Sequence, residues 1–251
     1  MALAASELER DRFIRILLMG PPKCGKSTVA VATSPGPVRV FLCESDSALQ
    51  SVRRFADDFT FERTRTHEKM FEAIHTARRD IKKGRIKTLV VDPLSTMAAK
   101  LEEHCLKVTR TNSGAENPMK AYPLYGRILR QITEQLLDLR CHLIVVTHYI
   151  ETGGGSDADG TPQMGEGIVP LLAGKARAML SASFPDVVWM DYQNGKRVLV
   201  TGPTGAWGPG CRSLKSTRTI SADVTSDEKR VGIRALIRAF RSELPKRSVE
   251  K

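Results

Sequence analysis

"LLMGPPKCGKSTVA", Leu17 to Ala30, is the stretch whose reading decides the fold. Within it, Gly20-Pro21-Pro22-Lys23-Cys24-Gly25-Lys26-Ser27 fills the pattern GxxxxGK[ST], and both flanks suit that pattern. Before it, "FIRILLMG" (Phe13–Gly20) is a short apolar run rich in Ile and Leu, which predicts a buried strand. After it, "KSTVAVAT" must be helical although its β-branched residues are indifferent helix formers, so tertiary contacts have to override propensity. A tight turn opening a helix converges backbone N–H groups on one point, and phosphate oxygens suit that point. Gly20 to Thr28 are therefore expected to cradle the phosphates of a nucleotide. Lys26 would neutralise phosphate charge and Ser27 would supply a Mg²⁺ ligand.

Outward from the cradle, strands and amphipathic helices alternate. Pro35, Gly36 and Pro37 stop the first helix, and "VRVFLCE" (Val38–Glu44) predicts a second strand. "HEKMFEAIHTARRDIKKG" places Met70, Phe71, Ile74, Ala77 and Ile81 on one helical face, with Gly84 where a C-terminal cap belongs. "IKTLVVD" (Ile86–Asp92) is a third strand, apolar until its final carboxylate. A helix aligning Tyr125, Ile128, Leu129, Ile132 and Leu136 leads into "CHLIVVTH" (Cys141–His148), a fourth strand. "DVVWMDY" and "KRVLVTG" predict a closing hairpin around Asn194-Gly195. The expectation is an α/β fold, a P-loop core whose mostly parallel sheet carries helices on both faces and ends in a C-terminal antiparallel hairpin. Two polar, glycine-bearing stretches, "RTNSGAENP" (Arg110–Pro118) and "ETGGGSDADGTPQMGEG" (Glu151–Gly167), break the pattern and are expected to be functional loops.

The other half of such a site is a carboxylate at a strand end. "TLVVDPLS" ends its apolar run on Asp92, at the edge where ligands of open α/β sheets bind. A Walker B aspartate holds Mg²⁺ from that place; the plainer alternative is that Asp92 caps the following helix. The gap between Lys26 and Asp92 holds a full strand and a helix, which predicts a strand inserted between the two Walker strands, as in RecA-like and AAA-type ATPases. "FLCESDSAL" offers Glu44 and Asp46 near the same edge. Glu44 is the first choice to orient or deprotonate water because it reaches further, with Asp46 in reserve; both could instead be solvated or cap a helix near Ser47. Thr147 and His148 end the fourth strand and either touch the γ-phosphate or are satisfied by backbone. Cys24, a thiol beside a lysine at a helix N-terminus, is either activated by a lowered pKa or merely small enough for the turn.

Composition narrows the partners. Hydrophobic residues make up 41% and charged residues 27%, as in ordinary globular proteins, and no apolar run approaches the roughly 20 residues of a membrane span. "MALAASELERDR" has early acids and no basic n-region, so no secretory signal is expected. Five scattered cysteines without CxxC suggest a reducing cytoplasm and no disulfide framework. The net charge of +11 favours polyanions, nucleic acid first among them. In "SDEKRVGIRALIRAFRSEL", Ile233, Leu236, Ile237, Phe240 and Leu244 form an apolar helical face. Arg230, Arg234, Arg238 and Arg241 lie on a neighbouring arc, either a phosphate-tracking stripe or a solvated side. Residues 1–220 are thus expected to form the core, and 221–251 a basic C-terminal helix and tail.

With "GPPKCGKST", "FLCESDSAL", "TLVVDPLS", "LIVVTHYIE" and "GIVPLLAGKARAMLSASFPDVVWM" in this order, the chain resembles RecA-superfamily P-loop ATPases over about residues 13–220. More narrowly it is similar to compact, AAA-type phage ATP-binding proteins that act in single-strand annealing or recombination. The resemblance implies ATP and Mg²⁺ as cofactors, single-stranded DNA and a single-strand-binding protein as partners, a homo-oligomer, and the cytoplasm of a phage host. Loops after the third and fourth strands contact DNA in such recombinases, and here they correspond to Arg110–Pro118 and Glu151–Gly167. The second carries Glu151, Asp157, Asp159 and Glu166 but no Lys or Arg, so DNA affinity is expected from Lys175, Arg177, Arg212, Lys215 and Arg218. Arg212, Lys215 or Arg218 would also be placed to act in trans on a neighbour's γ-phosphate. No separate N-terminal oligomerisation domain is evident, which favours annealing or a helper role over strand exchange. The leading expectation is an ATP-dependent single-stranded-DNA-binding protein with Mg²⁺-dependent, DNA-stimulated ATPase activity. A nucleotide or small-molecule kinase and a non-hydrolysing ATP-switched DNA-binding module are the alternatives.

Overall fold

Leu17 and Met19 face one side of β1 (Arg15–Met19), Ile16 and Leu18 the other, and all four are buried. A strand apolar on both faces needs cover on both, and the computed structural model of the chain supplies it. It describes residues 13–152, 167–202, 210–211, 218–224 and 231–243. After β1 come α1 (Lys26–Ala32), β2 (Val38–Leu42), a 3₁₀ turn (Asp46–Leu49) running into α2 (Gln50–Arg53), β3 (Phe59–Arg63) and α3 (His67–Lys82). Next are β4 (Thr88–Asp92), α4 (Leu94–Val108), α5 (Pro118–Leu137), β5 (His142–Val146), β6 (Tyr149–Thr152), β7 (Gly167–Pro170) and α6 (Ala176–Ser183). The chain continues through β8 (Asp186–Gln193), β9 (Lys196–Val200), β10 (Gly210–Cys211), β11 (Thr219–Ser221) and α7 (Gly232–Glu243).

Among the described residues the main sheet has the order β11-β9-β8-β1-β5-β4-β2-β3, with β10 also on β8. The strands from β8 to β3 run parallel, and β9, β10 and β11 pair antiparallel at the β8 side. The predicted α/β fold with helices on both faces is what forms: α3, α4, α5 and α6 cover the Leu17 face, and α1, α2 and α7 the Ile16 face. Asn194 and Gly195 take φ of 50° and 75°, the left-handed values that a two-residue β8–β9 turn requires. In α1 the weak propensity is overridden as expected, with Val29, Ala30 and Val31 all buried. In α3 the buried stripe is Met70, Ala73, Ile74 and Ala77, while Phe71 and Ile81 lie at its margin.

One expectation is corrected. A strand does stand between the Walker strands β1 and β4, but it is β5, contributed from after them in sequence. The strand read from the Lys26–Asp92 gap, β2, lies outside β4, because two parallel crossovers carry it there. That gap also holds β3, "FTFER", an edge strand whose partial exposure leaves little hydrophobic signal. At the C-terminus, α7 packs Ile233, Leu236, Ile237 and Phe240 into the same cluster as β1 and α1, so no packing break marks the boundary drawn at 220. Leu244 and Arg230 of that segment lie outside the described residues. No helix among the described residues is long and apolar enough to cross a membrane.

Candidate nucleotide-binding site

Parallel register brings the polar residues together. Leu42 pairs with Asp92, the Cys43 N–H donates to the Asp92 carbonyl at 2.9 Å, and the Thr147 N–H donates to the Leu18 carbonyl at 3.1 Å. The loop after β1, Glu44 after β2, Asp92 of β4 and His148 after β5 therefore meet at one carboxyl edge of the sheet. They line a cleft of about 590 Å³ together with Pro22, Lys23, Gly25, Lys26, Ser27 and Thr28. Gly20, Pro21 and Cys24 are not lining residues; they hold the loop through their carbonyls.

Lys26 is buried at 7% exposure, and its Nζ donates to Gly20 O at 2.9 Å and Pro21 O at 2.7 Å. Burial lowers its pKa, and Cys24, Asp92 and Glu44 oppose that shift. Asp92 is also buried, and among the described residues its Oδ2 has no hydrogen-bond partner. Burial, opposed by the Ser27 hydroxyl and reinforced by Glu44, pushes its carboxyl up to about 6. It caps nothing: Pro93 occupies the N-cap position of α4. An orphaned carboxylate oxygen facing a serine hydroxyl and a second carboxylate is a donor set that fits a hard divalent cation such as Mg²⁺.

The two acids after β2 separate. Glu44 is half-buried and lines the cleft. Asp46 is exposed, lies outside that lining and pairs with Arg63 and Arg65; the Arg63 bond holds its carboxyl below the usual range. At the fourth corner, His148 Nδ1 is 3.1 Å from Ser95 Oγ, and the His148 N–H donates to the same oxygen at 3.2 Å. Burial, helped by Lys26, lowers the imidazole pKa. Thr147 is fully buried and its hydroxyl donates to His148 O. Cys24 departs from the activated-thiol alternative: burial raises its pKa, and the nearby Lys26 only partly offsets this.

Several lining residues escape a reading of the sequence. Arg197, on β9, donates from Nε to Cys24 O at 2.9 Å across 173 residues. Its side chain lies against Gly25, where φ is +99° and an added Cβ would sit 3.1 Å from Nε. Ser51 of α2 and Arg54 and Phe55 just after it also line the cleft, and a helix of four residues carries no periodic signal. The "KR" of the hairpin signalled only a strand start.

Two further grooves lie on the His148 side of the cleft. A groove of about 580 Å³ shares His148 with it and adds Ser95, Tyr122, Tyr125 and Arg177. A further groove of about 710 Å³ shares both tyrosines and adds Arg127, Arg130 and Lys175. Of the predicted nucleic-acid residues, Arg177 lines the groove that shares His148 with the cleft, and Lys175 lines the groove beyond it. Arg218 is elsewhere, its backbone exchanging hydrogen bonds with Thr201 Oγ1. Arg212 and Lys215 lie outside the described residues, as does most of the Glu151–Gly167 loop. Residues 12–212 match the model of a protein family described as an AAA domain. No curated protein matches the chain.

Proposed function

The chain belongs to the AAA-domain family, a P-loop NTPase type, and from that premise we propose an ATPase that binds single-stranded DNA and promotes annealing or recombination. The observation that carries the ATPase reading is the orphaned Asp92 carboxylate buried beside Ser27, Lys26 and Glu44. In this reading the loop N–H groups of Gly25 to Thr28 bind the phosphates, and Lys26 exchanges carbonyl partners for phosphate oxygens. Ser27 and Asp92 hold Mg²⁺, which when bound supplies charge neutralisation at the phosphates. Glu44 takes the proton of the attacking water, and Asp46 has no part in it. His148 meets the γ-phosphate and carries that contact through Ser95 to the neighbouring groove.

Support for the DNA reading comes from that groove's chemistry. Tyr122 is 44% exposed with its hydroxyl against Glu102, and Arg177 on one side and Arg127, Arg130 and Lys175 on the other line the two grooves that it shares with Tyr125. Aromatic faces for bases and cations for phosphates are what a single strand needs. Homo-oligomerisation, a single-strand-binding protein partner and action in a phage-infected cytoplasm belong to the same proposal.

ATP hydrolysis measured with and without single-stranded DNA, for the native chain and Lys26→Ala, tests it. DNA-stimulated turnover that vanishes in the variant is the expected result. Turnover indifferent to DNA would overturn the DNA half and leave an ATPase. Phosphate transfer to a small acceptor would identify a kinase instead, and nucleotide-gated DNA binding without turnover a switch.

A further inference from the structure

Away from the cleft, α3 and α4 bring two imidazoles and a carboxylate together. His67 and Glu68 are the first two residues of α3, behind the Thr66 cap, and His104 lies near the end of α4. The two rings are 4.7 Å apart between centroids and tilted by 52°. His67 Nε2 lies 3.2 Å from Glu68 Oε1, and one ligand atom from each of the three residues lies within 4.8 Å of the others. Among the described residues this is the one group of three or more His, Cys, Asp or Glu side chains so placed. Glu68 sits in the first turn of α3 beside its Thr66 cap, where an acid is favoured, but that position does not account for two imidazoles meeting at it.

We propose that His67, Glu68 and His104 form a binding site for a divalent transition cation of the zinc class. Two imidazole nitrogens and one carboxylate oxygen suit Zn²⁺, Co²⁺ or Ni²⁺ better than the hard Mg²⁺. Three protein ligands leave a coordination position for water. Ligand atoms around tetrahedral zinc sit roughly 3.3 Å apart, given bonds of about 2.0 Å. The trio therefore has to close, and the Glu68 side chain, 57% exposed, has open solvent beside it in which to move. The positive end of α3 opposes a cation, while Glu68 and the negative end of α4 offset it. Once bound, the ion ties the first turn of α3 to the last turns of α4, the helix that begins directly behind Asp92 and Pro93.

The full chain, freed of metal with a chelator, is titrated with Zn²⁺ by calorimetry without nucleotide, and with Co²⁺ followed by visible absorption. The expected result is one equivalent bound, at least tenfold weaker in both His104→Gln and Glu68→Gln, with Zn²⁺ raising the melting temperature of the native chain alone. The variants' unchanged melting without metal shows that they fold. Absence of binding overturns the proposal. So does binding that survives in both variants, or a thiolate-to-Co²⁺ band that points to Cys24. Because no nucleotide is present, the result stands or falls apart from the ATPase reading.

Discussion

Arg197 secures the phosphate loop with Nε, and its side chain also lines the cleft. A guanidinium so placed offers a fork to phosphate. Arg197→Ala should weaken MgATP binding on the order of tenfold by calorimetry, the worth of one charge-assisted bond, and Arg197→Lys should fall between. Unchanged affinity in the alanine variant would reduce Arg197 to a loop prop. Asp92 makes a pH-dependent prediction. Its carboxyl is raised from 3.8 to about 6, so the folded state binds that proton more tightly than the unfolded chain. The resulting stabilisation is present below 3.8 and is lost as pH rises through about 6. Asp92→Asn should therefore stabilise the nucleotide-free protein by about 1–3 kcal/mol at pH 8 and hardly at all at pH 3.5. Urea unfolding at the two pH values measures this, and equal shifts at both would show that the carboxylate is not desolvated.

At the scale of elements, α7 is docked by the end of α1. The Ile233 N–H donates to Thr33 Oγ1 at 2.9 Å and the Arg234 N–H donates to Thr33 O at 3.1 Å, so one residue satisfies two donors of a helix start. Gly232 takes φ of +57°, and an added Cβ would collide with the Thr33 side chain. Gly232→Ala should cost about 2–3 kcal/mol through strain and collision, and Thr33→Val about 1–2 kcal/mol through a lost acceptor. Chemical denaturation checks both, and a cost near zero for both would mean that α7 is held by its apolar face alone.

For the whole molecule, the net charge of +11 does not say where a polyanion lies. The packing divides the possibilities: α5 and α6 carry the groove cations on one face of the sheet, and α7 carries Arg234, Arg238 and Arg241 on the other. If the strand follows the groove, Arg127, Arg130 and Lys175 changed together to glutamine should reduce the log–log salt slope of single-stranded DNA binding by about 2. The same change at the three α7 arginines should leave the slope nearly intact. The reverse pattern would move the strand to α7.

What the sequence determined by itself was local: the phosphate loop between strand and helix, the acid ending β4, the Asn194-Gly195 turn and the α/β alternation. Each is a pattern within one short stretch, governed by backbone geometry and hydrophobic period, so neighbouring residues suffice to specify it. The tertiary structure alone decided that β5 stands between the Walker strands, that Glu44 and not Asp46 faces the cleft, and that Arg197 reaches Cys24. It also decided that Thr33 caps a helix 200 residues later. Those outcomes depend on crossovers and registers between distant segments, where a side chain's partners are chosen by packing and leave no period in the chain.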